Sequence, residues 1–559
     1  MVRMRGLLLP GNVRFSAVAL GIQLTNAVVL AQSSDPRLAP CTDRARPSQE
    51  RANACRVLAG DRAADAETRR QAAIGLAEVL NALSDWNGLL EAAAAQLALD
   101  PADRVGHAMR GMAYLRRQQP GDAERARDTY SEALRQFPRA FLFANNRGIA
   151  RTMLGDTDGA LADHSLALTL EPGYLPALIA RSGLLNARGD HVGALADADL
   201  GLKSVPDAVP LLDERARALN GLSRLPESII AHDRVIALAP TRAMVHFRRG
   251  LARAELGQLE AAIADFTREI AVNPQLPGAY VQRGRLVFDT QKDAVRAIAD
   301  FDSAIAMAPA FAMGWSQRSR VRLQTGDLPG AEQDALKALT LDQKDPVAKI
   351  TLAALLDSRG ETAEALALLD DVVTFLPSVV ESRLEQIGIL MRLGRHGEAL
   401  QSVRAGRKLA PGNLDLIDLE AATQLRLARL AEGKADLDLA IAQGYRRAST
   451  HANRAVFALA MRNFELAETD VATALGLEAR HLEANALSGL LALRAKDRRK
   501  AEAAVAIVLA MNPEHALALA IKAETLRQGG RQGEAEQALE LSRKKDPLSA
   551  DLVRMMLVP

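Results

Sequence analysis

Small apolar residues and prolines recur along this chain with a spacing of 34 residues. One position of the period is alanine or serine at Ala160, Ala194, Ser228, Ala262, Ala297, Ala331, Ala365, Ala399, Ala467, Ala501 and Ala535. Another position is proline at Pro138, Pro172, Pro206, Pro240 and Pro274. After a shift of one residue, the 34-residue spacing continues at Pro309, Pro377, Pro411, Pro513 and Pro547. A fixed period of this length predicts stacked helix–turn–helix units. Each proline ends a helix, because it lacks an amide hydrogen and clashes with the preceding turn.

The stretch from Phe141 to Tyr174 shows the pattern within one unit, counted here as positions 1 to 34. Position 8 is Gly148, position 15 is Gly155 and position 20 is Ala160. Small residues at positions 8 and 20 let two helix backbones approach closely, and glycine at position 15 supplies the turn between them. The unit is therefore predicted to be a helix A followed by an antiparallel helix B.

This pattern resembles the tetratricopeptide repeat, which carries small residues at positions 8 and 20 and a helix-ending residue at position 32. Trp315 lies at position 4, where the family often has tryptophan, and Tyr130, Phe266 and Phe301 lie at position 24, a core site of helix B. The resemblance implies an all-α fold, a right-handed α-solenoid superhelix of about thirteen such repeats between Arg104 and Pro547.

The departures from the period set the predicted domain organisation. We expect a signal peptide at 1–31, an N-terminal cap at 32–66, a degenerate helical pair at 67–101, a repeat array at 102–413, a degenerate repeat at 414–447, a second array at 448–547, and a short tail at 548–559 that is not a full helix. The repeat at 414–447 lacks the usual glycine, alanine and proline, so it is the expected bend or joint. One residue is inserted near Lys292.

The N-terminus has the pattern of a secretory signal. Arg3, Arg5 and Arg14 precede a mostly apolar run that ends at Val29-Leu30-Ala31, a small-residue cleavage site. We expect cleavage near Ala31 and a periplasmic or secreted mature chain without an integral membrane span. The alternative is an uncleaved or cytosolic N-terminal helix.

The chain has two cysteines, Cys41 and Cys55, both just after the expected cleavage site. In an oxidising compartment they would form a disulfide that closes a small loop in the N-terminal cap. Two free thiols, or lipidation at Cys41, are the alternatives.

Composition narrows the classes of partner and chemistry. The net charge is +2, from 70 basic and 68 acidic residues, which gives no reason to expect a nucleic-acid partner. No two of the nine histidines are three or four residues apart, so no helix presents a metal-binding pair. Catalytic motifs such as His-Glu-x-x-His, a Walker loop or Gly-x-Ser-x-Gly are absent, and we expect no enzyme, no cofactor and no metal.

Arginine and aspartate vary together at positions 7 and 23. Position 7 is Arg110, Arg147, Arg181, Arg215, Arg249, Arg283, Arg318 and Arg454, and position 23 of the same units is aspartate at Asp163, Asp197, Asp265, Asp300, Asp334 and Asp470. Because an unpaired guanidinium is costly at a partly buried position, we predict a structural ion pair across each hairpin. The alternative is an arginine ladder that grips an anionic polymer.

The family resemblance also implies a ligand groove on the concave surface, lined by positions 2, 5, 9, 12 and 13 of helix A. Those positions give the candidates Asn145, Asn186, Asp213, Arg217, Asn220, Phe247, Arg285, Phe288 and Arg320. The expected function is a non-catalytic scaffold that binds a peptide or protein segment there. The alternative is an envelope-assembly factor that handles glycans or other polymers; the sequence indicates no oligomeric state.

Overall fold

The computed structural model describes residues 35–557, and every regular element within that range is a helix. These residues divide into two compact units, 35–292 and 293–557, called here the N-terminal and C-terminal units. The expected all-α repeat architecture is confirmed. Within the described range no helix is long and apolar enough to cross a membrane, and the expected signal peptide lies outside that range.

The N-terminal unit begins with a short 3-10 turn, Pro36–Leu38, and continues with fifteen helices. They are α1 (Ala39–Thr42), α2 (Ser48–Ala59), α3 (Ala66–Ala82), α4 (Trp86–Leu99), α5 (Arg104–Arg117), α6 (Asp122–Gln136), α7 (Phe141–Met153), α8 (Thr157–Leu170), α9 (Leu175–Arg188), α10 (His191–Ser204), α11 (Val209–Gly221), α12 (Leu225–Leu238), α13 (Val245–Glu255), α14 (Leu259–Val272) and α15 (Pro277–Gln291).

The C-terminal unit continues the same alternation of helices A and B. Its helices are α16 (Ala294–Met307), α17 (Ala312–Thr325), α18 (Leu328–Leu341), α19 (Pro346–Ser358), α20 (Thr362–Phe375), α21 (Val380–Arg392), α22 (His396–Leu409), α23 (Leu414–Arg426), α24 (Leu430–Ala442), α25 (Ala448–Ala460), α26 (Phe464–Leu477), α27 (Leu482–Arg494), α28 (Arg498–Met511), α29 (Ala516–Gln528), α30 (Gln532–Lys545) and α31 (Pro547–Leu557).

The turn between helices A and B requires a left-handed residue at position 15. Glycine supplies it in many repeats, for example Gly155 with φ 76° and Gly326 with φ 87°. Ser223 and Ala428 adopt the same conformation, with φ 58° and 55°, although a side chain disfavours it. The turn is therefore set by the stacking of the hairpins and not by glycine alone.

The small residue at position 8 makes room for the side chain at position 24. A Cβ added to Gly111 would lie 2.4 Å from the Tyr130 ring, and one added to Gly250 would lie 2.8 Å from the Phe266 ring. Both rings are fully buried. The expected close approach of the two helices and the expected core role of position 24 are both observed.

Polar side chains at position 4 bind the end of the preceding helix B, a contact that the sequence analysis missed. Trp315 Nε1 donates to the carbonyl of Pro309 at 3.0 Å, and Asn485 Nδ2 donates to that of Ala479 at 3.1 Å. His107, Tyr280 and Arg383 contact carbonyls six residues upstream in the same way. Position 4 therefore satisfies a carbonyl in the turn between one helix B and the next helix A.

The two ends of the described range differ in how they are closed. A disulfide joins Cys41 of α1 to Cys55 of α2, and both sulfur-bearing residues are fully buried against α3. At the other end, the expected tail is wrong, because residues 547–557 form the helix α31, which packs on α29 and α30. Its buried residues, Ala550, Val553 and Met556, recur every three residues and form one apolar face.

The boundary between the two units lies at Lys292–Asp293, where the sequence has its one-residue insertion, and not at 414–447, where we expected a joint. The degenerate repeat forms a regular hairpin of α23 and α24. Gly433 occupies position 20 there, and a Cβ on it would lie 2.4 Å from the Phe457 ring of the next repeat. A still smaller residue therefore replaces alanine to admit that ring.

Candidate functional site: charged rungs and the helix A face

The structure brings arginine at position 7 and aspartate at position 23 together in five repeats. The closest N–O distances are 2.6 Å for Arg147–Asp163 and Arg181–Asp197, 2.5 Å for Arg249–Asp265, and 2.7 Å for Arg318–Asp334 and Arg454–Asp470. Each carboxylate is at most 6% exposed in its side chain. Nε and Nη2 bind the two carboxylate oxygens as a fork, the geometry for which a guanidinium is suited.

Three of these arginines, and also Arg215, bind an aspartate of the preceding repeat. Position 25 of the preceding helix B contacts Arg215 through Asp199 at 2.7 Å, Arg249 through Asp233 at 2.6 Å, Arg318 through Asp302 at 2.5 Å, and Arg454 through Asp438 at 2.8 Å. These carboxylates are 40–54% exposed. Each arginine thus links its own hairpin to the one before it. We call a position-7 side chain with its partners at positions 23 and 25 a rung.

Position 25 was missed because only the pairing within one repeat was considered. Its signal was available, since the partner precedes the arginine by 16 residues and the partner at position 23 follows it by 16. Position 25 is a hydroxyl in two other rungs, where Ser165 accepts from Arg181 at 3.0 Å and Thr267 from Arg283 at 3.5 Å. The spacing is therefore shared even where the charge is not.

In other repeats, position 7 has different residues or different partners. Arg110, which has no aspartate at position 23, binds Glu132 at 2.6 Å. The polarity is reversed at Glu420, which binds Arg404 at position 25 at 3.2 Å and also Arg407. At Gln386 the rung has no cation: the amide donates to Asp370 at position 25 and accepts from Ser402 at position 23.

The expected pair of Arg283 and Asp300 has one residue in each unit. Arg283 lies on α15 of the N-terminal unit, with its guanidinium 5.8 Å from the Tyr280 ring. Asp300 lies on α16 of the C-terminal unit and is 5% exposed.

Hydrogen bonds and burial both shape the ionisation of these groups. The hydrogen bonds that Arg181 donates to Asp197 raise the pKa of Arg181 above its usual value, and those that Arg454 donates to Asp470 raise the pKa of Arg454. Both guanidinium groups are therefore held charged. Because their charge is bound internally, the rungs present little free cation to an anionic polymer.

Two fully buried histidines lie at position 24 beside the rungs. Burial lowers the pKa of His164 and of His232 to about 4 in each case. His164 Nδ1 lies 3.1 Å from Asn145 Oδ1, and His232 Nδ1 lies 3.4 Å from Ser228 Oγ. Both imidazoles are therefore neutral near pH 7. In residues 35–557 no group of three or more histidine, cysteine, aspartate or glutamate side chains could hold a metal ion.

Five of the nine groove candidates are buried between repeats, which corrects their expected role as exposed lining. Asn145, Asn186, Asp213, Phe247 and Phe288 are at most 7% exposed. Asn186 donates to Glu214 at 2.9 Å, Asp213 accepts from Arg242 and Arg248 at 3.0 and 2.9 Å, and Phe247 packs on Phe266 with ring centroids 5.7 Å apart. These side chains are therefore engaged in packing and hydrogen bonds within and between repeats.

The other four candidates keep part of their surface. Arg217, Asn220, Arg285 and Arg320 are half-buried on helices A. In the N-terminal unit, Arg217 binds Glu214 at 2.8 Å, and Arg285 donates to Gln282 at 3.1 Å. These arginines occupy position 9 of helix A. The buried candidates are at positions 5 and 12, on the same face of the helix.

Comparison with known proteins agrees with this geometry. The family model for the tetratricopeptide repeat matches residues 109–174, 283–346 and 487–550. The chain contains tetratricopeptide repeats. A mouse (Mus musculus) protein described as FK506-binding protein-like is 42% identical over 60 residues, which are 11% of this chain and 17% of the mouse protein.

Solved tetratricopeptide repeat structures are similar in fold. One from Parabacteroides merdae is 21% identical and covers 44% of this chain and 97% of its own, with a TM-score of 0.35. The APC/C hetero-tetramer Cut9–Hcn1 is 14% identical and covers 89% of this chain and 93% of its own, with a TM-score of 0.42. YrrB, described as having an unusual peptide-binding site, is 17% identical and covers 34% of this chain and 97% of its own, with a TM-score of 0.29.

Proposed function

We propose that this protein is a non-catalytic scaffold that binds a peptide or protein segment on the faces of its helices A. The observation that carries the proposal is the pair of half-buried arginines at position 9 in the N-terminal unit, Arg217 on α11 and Arg285 on α15. Buried Asp213 shares the face of Arg217 on α11, and buried Phe288 shares the face of Arg285 on α15. A preformed surface of this kind loses little conformational freedom on binding. An extended peptide or a helix suits such a face.

The alternative function is envelope assembly, in which the same face handles a glycan or another polymer. Charged rungs would favour an anionic polymer only if their guanidinium groups were free. Since five of them bind buried carboxylates at 2.5–2.7 Å, the peptide proposal is the better supported.

We further propose that the chain is exported, with cleavage near Ala31, and works in the periplasm or outside the cell. The disulfide between Cys41 and Cys55 supports this proposal, because disulfides persist in oxidising compartments. Sequencing the N-terminus of the mature protein tests it. A chain that begins at Gln32 is expected, and a chain that begins at Met1 would refute it.

Peptide and glycan arrays probed with the purified protein test the choice of ligand. We expect peptides to be retained, and retention to fall when Arg217 and Arg285 are both changed to Ser. Arg188→Ser is the matched control, because that arginine is 59% exposed at the end of α9 and binds the exposed Asp158 at 2.8 Å. Retention of glycans alone would support envelope assembly instead. Peptide retention that the double variant leaves unchanged would contradict the proposed face.

A further inference from the structure

A cavity of about 330 Å³ lies between α20, α21 and α22 of the C-terminal unit. It is lined by residues of two successive helices B and of the helix A between them. Asp370, Arg395, Glu398 and Gln401 are exposed lining residues, so the cavity opens at the surface. Its volume is at the lower end of the range for small-ligand sites.

The cavity occurs at the rung of Gln386, where position 7 is not an arginine. Gln386 and Ser402 occupy the positions that carry arginine and aspartate in the charged rungs, and both line the cavity. Gln386 reaches Asp370 and Ser402 with its amide, but it is smaller than arginine. The groove that a guanidinium fills between other helices B is therefore partly open here.

One buried cation faces this cavity without a carboxylate of its own. Arg383 lies at position 4 of α21, is 7% exposed, and lines the cavity. Its Nε donates to the carbonyl of Pro377 at 3.4 Å. No carboxylate in the part of the chain that the structure describes lies within 4 Å of its guanidinium. Burial lowers its pKa below the usual value for arginine.

The preceding repeat shows which group is missing. Lys349 is the cation at position 4 of α19, and it binds Asp371 at position 26 of the following helix B. Position 26 of the next repeat is Ala405, which lines the cavity beside Arg383. The buried position-4 cation is therefore paired with a carboxylate at position 26 in one repeat, whereas position 26 of the next repeat carries only the methyl group of alanine.

We propose that this cavity binds a carboxylate group of a ligand, which Arg383 holds in the place that Asp371 takes for Lys349. The group comes from an acidic side chain or from a chain terminus, since the two share the same chemistry. Two acids of the lining are already engaged: Glu398 binds Arg395 at 2.7 Å, and Asp370 accepts from Gln386. A buried unpaired cation gains most from a charged partner, which is why the anion is favoured over a cationic ligand.

Titration of ¹⁵N-arginine-labelled protein tests the proposal by NMR. The Arg383 Nε–H signal is assigned by its loss in Arg383→Met. The probes are N-acetylglutamate α-amide for a side-chain carboxylate, N-acetylglycine for a terminal one, and methylguanidinium as the opposite charge, all at constant ionic strength. Either carboxylate should shift the Arg383 signal saturably, and comparison of the two identifies the source.

Three variants sharpen the result. Ala405→Asp should abolish the shift, because the new carboxylate takes the ligand's place. Asp370→Asn should tighten binding about threefold by removing a nearby like charge, and Lys349→Met should leave the response unchanged. Unaltered signals from the other arginines show that a variant is folded. The proposal is overturned if neither carboxylate moves the signal, if methylguanidinium alone moves it, or if Ala405→Asp still responds.

Discussion

Removal of Arg181 gives the most direct measure of what one rung contributes. Its guanidinium binds Asp197 at 2.6 Å, and the two side chains are 25% and 6% exposed. Within residues 35–557 no other cation lies within 4 Å of Asp197. Arg181→Met should therefore leave a buried carboxylate without a partner. Arg249 is a poorer choice, since Arg253 also binds its aspartate at 2.9 Å.

The magnitude follows from burial and charge. Removing one partner of a fully buried ion pair costs about 3–5 kcal/mol. Since Arg181 is a quarter exposed, we expect the lower end of that range, about 3 kcal/mol. Replacing both partners, in Arg181→Met with Asp197→Leu, should cost far less than the single change or nothing, because no charge is then left buried. The double variant should thus be more stable than the single one.

The assay must be local, because a repeat array does not unfold as one cooperative unit. Hydrogen exchange of α9 and α10, followed by mass spectrometry, reports the opening free energy of that hairpin. Exposed Arg188→Met serves as the control and should change that free energy by less than about 0.5 kcal/mol. Equal losses in the single and double variants would refute the idea that the rung neutralises a buried charge.

Two further predictions concern pH and packing. Because burial lowers the pKa of His164 and His232 from 6.5 to about 4, stability should be fully present above pH 6.5. It should fall as the pH drops toward 4, by about 2 kcal/mol per histidine at pH 5; a His164→Gln variant that melts with an unchanged pH dependence between 7 and 5 would contradict this. Gly433→Ala should lower the melting temperature by overpacking against Phe457, at a cost of about 1–3 kcal/mol. Gly476→Ala, which meets nothing within 4 Å in α26, should be neutral or stabilise by up to about 1 kcal/mol, and equal effects of the two would argue against the packing account.

The helix pairs could be predicted because the 34-residue period fixes three local features at once. Proline at position 32 ends helix B, the residue at position 15 turns the chain, and alanine at position 20 sets the helix distance. The aspartate at position 23 could be predicted as well, since it varies together with the arginine at position 7 within one chain. Arg181 and Asp197 illustrate this at 2.6 Å.

Contacts between neighbouring repeats were harder to predict, since the family resemblance assigns positions within one repeat. Asp233 at position 25 binds Arg249 of the next repeat. Asp213 at position 5, which was expected to line the groove, forms ion pairs with Arg242 and Arg248. Helix α31 was missed because it lies past the last repeat, where the period gives no information. Its apolar face is visible only from a three-residue spacing.

The central claim is that each 34-residue unit is one interchangeable hairpin, coupled to its neighbours by the rungs. Deletion of residues 175–208 removes α9 and α10. Ser165 then becomes the position-25 partner of Arg215, in place of Asp199. Far-UV circular dichroism of this variant during heating tests the claim. We predict the same helicity per residue and the same melting profile as in the parent chain, whereas deletion of 180–204, which breaks the period, should lower the helicity per residue and the temperature at which it is lost. Equal behaviour of the two deletions would contradict the account.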